Sequence, residues 1–126
     1  MRHIILPILL LALVLSFCLF STLYVSRTIE ETNAYLTAAV EAYQKQQLEQ
    51  TEQSINLASS LWSQRQFFFG MVLKHDEVDQ VSGEFARLSA YAHSDDGDDF
   101  LSNCAALQAT LRHIREMEWP SLQNIL

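Results

Sequence analysis

Residues 71–92 read MVLKHDEVDQVSGEFARLSAYA, and apolar side chains recur in this stretch at every seventh position. Two turns of a helix take about seven residues, so this repeat keeps those side chains on one helix face. Polar and charged residues fill most of the positions between them. The stretch therefore predicts an amphipathic helix that buries one face against other helices. The repeating residues are Met71, Val78, Phe85 and Ala92.

The same helical periodicity precedes this stretch. A first helix reaches about Gln46, a turn over residues 46–50 reverses the chain, and a second helix reaches about Gln66. Gly70 then predicts a bend over residues 67–70, because glycine is a poor helix former. The apolar stripes of these two helices comprise Ile29, Leu36, Tyr43, Ile55, Ala58, Leu61, Trp62, Phe68 and Phe69.

A fourth helix follows the acidic segment SDDGDD at residues 94–99, which is the clearest break in the chain. Trp119 and Pro120 predict its end, and residues 121–126 are expected to form a tail. No segment alternates polar and apolar residues, so strands are not expected. The pattern predicts an all-α fold, an antiparallel bundle of about four helices that can also be described as two helical hairpins. The fourth stripe is Phe100, Cys104, Leu107, Leu111 and Ile114.

The N-terminal residues 4–25, IILPILLLALVLSFCLFSTLYV, contain no charged side chain. As a helix this run extends about 33 Å, enough to cross a hydrocarbon core of roughly 30 Å. It predicts a single transmembrane helix. Residues 1–26 then form a membrane anchor, and residues 27–126 form an acidic α-helical domain. Thr28 and Glu31 match a capping box, so that either a new helix begins here or the membrane helix continues.

Two other interpretations of the N-terminal run are less favoured. A cleaved signal peptide has an apolar region of about 7–15 residues and an A-x-A-like cleavage site, whereas this run is longer and lacks such a site. A lipoprotein signal ending at Cys18 would need a smaller residue than Phe17 before it. Arg2 and the N-terminal amine precede the span, so we expect a cytoplasmic N-terminus and an extracytoplasmic domain at the cell membrane.

Charge limits the partners. All 15 acidic residues and all but one of the 8 Lys and Arg residues follow the span, so the domain is strongly acidic. An acidic surface repels phosphates, and we therefore expect no nucleic-acid partner. Apart from lipid around the span, the expected partner is another membrane protein or a second copy of this chain. The span offers Ser16, Cys18, Ser21 and Thr22 as small or polar groups for such a contact.

The run KHDEVD at residues 74–79 raises the question of a metal or acid/base site. His75 and Asp79 face the same side of a helix, and two such ligands start a metal site that His113 and Glu116 would have to complete. The alternative is structural. Acidic residues near a helix start interact favourably with its dipole by about 0.3–1 kcal/mol each. The heptad also places His75 at the core boundary, beside Asp79. We favour this structural interpretation and expect no bound metal.

Other charged residues also have structural interpretations. Arg112, His113 and Arg115 precede the expected end of the fourth helix, where the helix dipole favours cations. Glu84 and Arg87 are three residues apart on a helix, so that they can pair across one turn. Neither group indicates a chemical activity.

Patterns that would indicate catalysis or a cofactor do not occur in the sequence. No serine lies in a G-x-S-x-G motif, and there is no glycine-rich phosphate loop. Cys104 lies on an apolar helix face, which is typical of a small core residue. The acidic loop lacks the glutamate that an EF-hand requires at its twelfth position, where Ala106 stands. We expect no catalytic residues, no cofactor and no enzymatic activity.

Several short motifs follow the N-terminal anchor and Trp62 in a characteristic order. They are H-D-E-x-D at residues 75–79, F-x-R-L-x-A-Y at 85–91, H-I-R-E-x-E at 113–118 and N-I-L at 124–126. In these features the chain resembles the bacterial family catalogued as domain of unknown function 4363, although Phe67 stands where a tryptophan is expected. The resemblance covers nearly the whole chain. It implies a small protein with an N-terminal membrane span and a helical domain, from Gram-positive, often anaerobic or spore-forming bacteria.

The resemblance implies no known activity, but it suggests a partner in the same membrane, since such proteins are encoded near multi-pass membrane proteins. The sequence therefore predicts a protein-interaction role, as an accessory or assembly subunit at the bacterial cell membrane. The alternative is an extracytoplasmic ligand or metal sensor centred on His75 and Asp79.

Overall fold

Four α-helices connected by short turns make up the structure. The computed structural model describes residues 1–93 and 97–125, with side chains as far as residue 117. Within these residues all regular structure is helical, which confirms the predicted all-α fold. The helices are α1 (Arg2–Gln44), α2 (Leu48–Val72), α3 (His75–Ala92) and α4 (Gly97–Ile125).

The helices form an antiparallel bundle in which each packs against two neighbours. α1 contacts α2 and α4, and α3 contacts the same two helices. The turn between α1 and α2 occupies residues 45–47, at the start of the range that was predicted. Full burial of one large apolar side chain stabilises a fold by about 1.5–3 kcal/mol. The core includes Ile29, Leu36, Ala39, Ile55, Ala58, Trp62, Phe69, Val78, Val81, Phe85, Leu88, Phe100, Cys104, Leu107, Leu111 and Ile114.

Helix α1 is unbroken from Arg2 to Gln44, so the predicted membrane helix and the first helix of the bundle are continuous. Thr28 lies inside this helix, and its hydroxyl donates to the Tyr24 carbonyl at 2.9 Å instead of capping a helix start. Thr32 donates to the Thr28 carbonyl at 2.7 Å. Each hydroxyl therefore finds a partner one turn back, which allows threonine to be buried in the bundle.

The two ends of α1 have different surroundings. Residues 2–20, which we call the stem, are mostly apolar and almost entirely exposed. From Ser21 onward, one face of α1 is buried by other helices. Within the described chain, α1 is the helix that is long and apolar enough to cross a membrane. We call the end of the bundle beside the stem the stem end, and the end at the α1–α2 turn the far end.

The bend predicted over residues 67–70 is wrong. Helix α2 continues through Gly70 to Val72, and the chain leaves the helix at Leu73, whose backbone is extended. A glycine in a helix costs only about 1 kcal/mol relative to alanine. Phe69 is fully buried, and burial of such a side chain contributes about 1.5–3 kcal/mol, which outweighs the cost of the glycine.

The predicted end of helix α4 at Trp119 and Pro120 is wrong. The helix continues to Ile125, so most of the expected tail over residues 121–126 is helical, and Leu126 lies outside the described residues. A proline removes one backbone hydrogen bond and crowds the preceding turn. A proline does not prevent the residues after it from being helical, and so Pro120 does not end this helix.

Charged residues lie near both ends of α4. Residues 98–99 provide acidic side chains in its first turn, where the helix dipole favours negative charge, and residues 94–96 of the same acidic segment lie outside the described part. The basic group at residues 112–115 is not at the helix C-terminus, because the helix continues beyond it. Arg115 instead pairs with Glu30 of α1, with 3.0 Å between Nη2 and Oε1.

Candidate functional site

The stem end is where this molecule differs most from a simple helical bundle. α2 runs antiparallel to α1, so that Arg65 lies beside Thr28 and Phe68 lies beside Tyr24. These pairs bring the end of α2 next to the last residues of the stem. The groups at this junction are candidate functional residues, because they join an exposed apolar helix to a folded domain.

Arg65 connects α1 and α2 by three contacts. Its Nη1 donates a hydrogen bond to the Thr28 hydroxyl. Its Nη2 lies 4.0 Å from Oε2 of Glu31, and its guanidinium carbon lies 5.1 Å from the ring centroid of Tyr24. A hydrogen bond that involves a charged group contributes about 1.5–3 kcal/mol, and a cation–π contact adds about 0.5–1 kcal/mol at a partly exposed site. Sequence reasoning missed this site, because Arg65 and Thr28 are 37 residues apart.

Aromatic side chains flank Arg65 on α2. Phe68 meets Tyr24 edge to face, with ring centroids 4.7 Å apart. Trp62 and Phe69 are both fully buried, with ring centroids 4.6 Å apart. The ring centroids of Phe69 and Tyr24 are 6.3 Å apart. Such aromatic pairs add about 0.5–1.5 kcal/mol beyond the burial of their area. Together with Arg65, they hold the base of the stem against α2.

The outer surface of the stem end carries exposed apolar side chains. Phe67 is 83% exposed and Met71 is 64% exposed. They border a shallow groove whose other wall is the first turn of α3, with His75, Val78 and Asp79. Neighbouring exposed apolar groups mark an interaction surface more often than isolated ones do. This groove is the strongest such feature among the described residues of the bundle.

His75 and Asp79 come together on this surface, as their spacing predicted, with 3.4 Å between His75 Nε2 and Asp79 Oδ2. Both side chains are mostly exposed, so the expected position of His75 at the core boundary is wrong. That position was extrapolated from Met71, which belongs to α2, and the register does not continue across the break. Among the described residues, no third His, Cys, Asp or Glu completes a metal-binding group. The proposed additional ligands His113 and Glu116 are exposed on α4.

A second polar cluster lies between α3 and α4. Glu84 is buried, and its Oε1 accepts hydrogen bonds from Gln80 Nε2 at 3.4 Å and from Thr110 Oγ1 at 3.3 Å. Asn103 Nδ2 donates to the Glu84 backbone carbonyl at 3.2 Å. The other carboxylate oxygen, Oε2, has no hydrogen-bond partner within the described part of the chain. Because Glu84 turns inward to α4, it does not form the predicted pair with the exposed Arg87.

Cys104 is fully buried in the core, as its apolar stripe predicted. Burial raises the pKa of the Cys104 thiol to about 12, because a thiolate in the core would lose its hydration. A thiol that stays protonated is a poor nucleophile and a poor metal ligand. Cys104 therefore acts as a packing residue of the bundle.

The far end is closed by contacts among all four helices. Tyr43 stacks on Phe100 with ring centroids 4.3 Å apart. A Cβ atom at Gly97 would lie 3.0 Å from the Tyr43 hydroxyl oxygen, so a glycine allows α4 to begin close to α1. His93 Nδ1 lies 3.1 Å from Glu52 Oε1, which links α3 to α2. These contacts explain how the bundle is closed at the far end.

Comparison with known protein families identifies the chain. Residues 19–125 match the family described as Domain of unknown function (DUF4363). The chain belongs to the DUF4363 family. The match begins near the end of the stem and includes the whole bundle. Comparison with curated proteins and with solved structures gave no match.

Membership of DUF4363 confirms the resemblance that the motifs indicated, and the structure shows what those motif residues do. Trp62, Phe85 and Leu88 are buried in the core. The motif at residues 75–79 forms the exposed first turn of α3. Trp62, Phe85, Leu88 and Ile114 are therefore packing residues, whereas the motif at residues 75–79 lies on the surface of the stem end.

Proposed function

We propose that this chain is a single-span protein of the bacterial cell membrane and binds another membrane protein, or a second copy of itself, as an accessory or assembly subunit. The stem crosses the bilayer, the N-terminus lies in the cytoplasm, and the bundle lies on the extracytoplasmic side. The role is one of binding and positioning, without catalysis.

The continuity of α1 is the observation that carries this proposal. One helix contains both the exposed apolar stem and, from Ser21 onward, a face of the bundle core. A helix from residue 2 to residue 24 is about 33 Å long, which matches a hydrocarbon core of roughly 30 Å. In water, exposure of so many apolar side chains is unfavourable, because each one forfeits about 1.5–3 kcal/mol relative to burial. A bilayer removes that cost.

A continuous helix also fixes the position of the bundle relative to the membrane. There is no linker between the stem and the bundle, and Arg65 and Phe68 brace the base of the stem. A partner that shifts or rotates the stem in the bilayer therefore moves the bundle with it. This arrangement suits a subunit that holds a domain at a set distance from a membrane complex.

Burial in the bundle limits which residues of the proposed span are exposed to a partner. Ser21 and Thr22 are buried by the bundle, so they cannot contact another protein. Ala12 and Ser16 remain exposed, and they lie four residues apart on one face. Two small residues at this spacing let the backbones of two membrane helices approach closely. We place the helix–helix contact on this face of the stem.

Crosslinking and affinity capture of the tagged full-length protein from its native membrane test the proposal. One variant carries a scrambled order of residues 4–20, which leaves the residues from Ser21 onward, and thus the bundle contacts, unchanged. A second variant combines Ala12→Leu and Ser16→Leu, which removes the close approach. Val14→Leu adds volume on another face of the stem and is the matched control.

The native protein and the Val14→Leu variant should capture one stoichiometric partner, or a second copy of the chain. The scrambled variant and the double variant should lose it. Capture that persists with the scrambled stem would show that the bundle alone binds the partner, and absence of any captured protein with the native chain would overturn the proposal.

Orientation is tested at the far end, where Leu48 is exposed. A Leu48→Cys variant that also carries Cys18→Ala should react with a membrane-impermeant thiol reagent in whole cells. Cys104 does not compete, because it is buried in the core. Reaction only after lysis would place the bundle in the cytoplasm.

A further inference from the structure

The α2–α3 turn lies at the depth of the membrane surface, if the stem crosses a bilayer as proposed above. Phe68 lies beside Tyr24, and α2 runs antiparallel to α1. Each further residue of α2 is therefore about 1.5 Å nearer the centre of the bilayer. Met71 is thus level with residues 21–22 of the stem end, about 4–5 Å to the membrane side of Tyr24.

Tyr24 itself marks the boundary of the hydrocarbon core. If the core begins at residue 4, a thickness of roughly 30 Å brings its opposite boundary to about residue 24. Tyrosine is enriched at this boundary, because its ring prefers the apolar side and its hydroxyl the polar side. Phe67 then lies at the level of the lipid headgroups, and Met71 lies at the edge of the acyl chains.

From this placement and from the exposure of both side chains, we propose that Phe67 and Met71 insert into the adjacent lipid leaflet. The bundle is then held at the membrane at two points, by the stem and by the α2–α3 turn. Exposed apolar groups at this depth contact lipid in place of water, which explains why they occur here on a bundle whose other large apolar side chains are mostly buried. Lys74, exposed in the turn, extends its ammonium group to the lipid phosphates.

The start of α3 limits the depth of insertion. His75 and Asp76 follow Lys74 directly and are exposed, and charged groups are costly in hydrocarbon. The contact is therefore shallow, within the 5–10 Å that interfacial elements typically reach, that is, about one to two helical turns. Because the domain is acidic, the contact relies on apolar insertion, and zwitterionic lipid suits it better than anionic lipid.

The test measures the depth of single nitroxide labels on the full-length protein in phosphatidylcholine nanodiscs, in a background with Cys18→Ala. Labels are placed at Met71→Cys, Phe67→Cys, Leu57→Cys and Leu10→Cys, all of which replace exposed residues. Depth is read from the accessibility of each label to oxygen, which concentrates in acyl chains, relative to a water-soluble nickel chelate. Leu57 is the matched control for Met71. It lies on nearly the same face of α2 as Met71, about 21 Å further from the bilayer along the helix.

The proposal predicts that the oxygen-to-nickel ratio is several-fold higher at Met71 than at Leu57, with Phe67 between them and Leu10 highest. A ratio at Met71 equal to that at Leu57, with Leu10 still in lipid, would overturn this inference and leave the membrane span intact. Low access of both reagents to Met71 would show that protein covers the groove, which also overturns it. A water-like ratio at Leu10 would instead overturn the proposed function.

Discussion

The two halves of α1 place one helix in two environments. Residues 2–20 expose mostly apolar side chains around the whole helix, whereas residues 21–44 bury one face against α2 and α4. The second half carries Glu30 and Glu31 on its exposed face and Thr28 on its buried face. The backbone shows no break between the halves.

In α1, the side-chain pattern therefore determines what surrounds the helix and does not determine where the helix ends. A helix that is apolar all round suits lipid, and a helix with one apolar stripe suits a bundle. The polar residues at the transition do not interrupt the helix, because Thr28 and Thr32 bond to carbonyls one turn back. A junction of this kind joins the exposed apolar stem to the bundle without a separate linker.

Truncation of one leucine in each half of α1 tests whether the two halves differ in their contribution to stability. Leu36 is fully buried, and Leu36→Ala should lower the free energy of unfolding by about 2–5 kcal/mol through the cavity it leaves. Leu10 is 65% exposed, and Leu10→Ala should change that free energy by less than about 0.5 kcal/mol. Both changes in free energy are measured by urea unfolding in detergent micelles. The exposure of the Cys104 thiol reports the unfolded fraction. Equal losses would show that the stem is part of the folded core.

Substitution of Arg65 tests the contacts that join α2 to α1 at the base of the stem. Arg65→Gln should lower the free energy of unfolding by about 1.5–3 kcal/mol, because it removes a charged hydrogen bond to Thr28. Arg87→Gln, at an exposed arginine of α3, is the control and should cost less than about 0.5 kcal/mol. The same urea titration applies. If the two variants were equally stable, the contacts of Arg65 would not be what secures the base of the stem.

The pH dependence of stability tests whether water is excluded from the bundle core around Cys104. The pKa of Cys104 is raised to about 12 in the folded protein, from an ordinary value of about 8.5 in the unfolded chain. The unfolded chain therefore loses this proton first. The contribution of the protonated Cys104 thiol to the free energy of unfolding is complete below about pH 8. It decreases as the pH rises from about 8.5 towards 12.

This contribution is measured by comparing the native protein with Cys104→Ala between about pH 7 and pH 10, where only the unfolded thiol titrates. The free energy of unfolding should fall more steeply with pH in the native protein. Parallel curves for the two proteins would indicate that water reaches the Cys104 thiol in the folded state.

The smallest effect is expected at the surface of the stem end. His75 is 84% exposed, so His75→Gln should change the free energy of unfolding by less than about 0.5 kcal/mol. Melting temperatures with and without a chelator should coincide for both proteins. A chelator-sensitive melting temperature that disappears in His75→Gln would instead favour the metal-sensor hypothesis and would make the stem end a binding site.

Periodicity was sufficient to predict the helical class and most of the core, because burial of Val78, Phe85 and Leu107 depends on spacing within one helix. It failed at Met71 and His75, where a heptad was extended across a break in the chain. A break depends on which neighbours bury the flanking residues, and that information is not local.

The polar contacts of the candidate site were not predictable for the same reason. Arg65 finds its partner on another helix, and Glu84 bonds to Thr110 of α4 instead of its near neighbour Arg87. Contacts between distant positions follow from the packing of the bundle, which a single sequence does not specify.

In the proposed arrangement, the stem and the first helix of the bundle are one rigid helix in a bilayer. Spin labels at Leu13→Cys in the stem and Glu41→Cys near the far end, with Cys18→Ala, allow their separation to be measured by electron–electron double resonance in nanodiscs. A continuous helix predicts a narrow distance distribution centred near 42 Å, from a rise of about 1.5 Å per residue. A clearly shorter or broad distribution would show a hinge between the stem and the bundle and would rule out a single rigid helix.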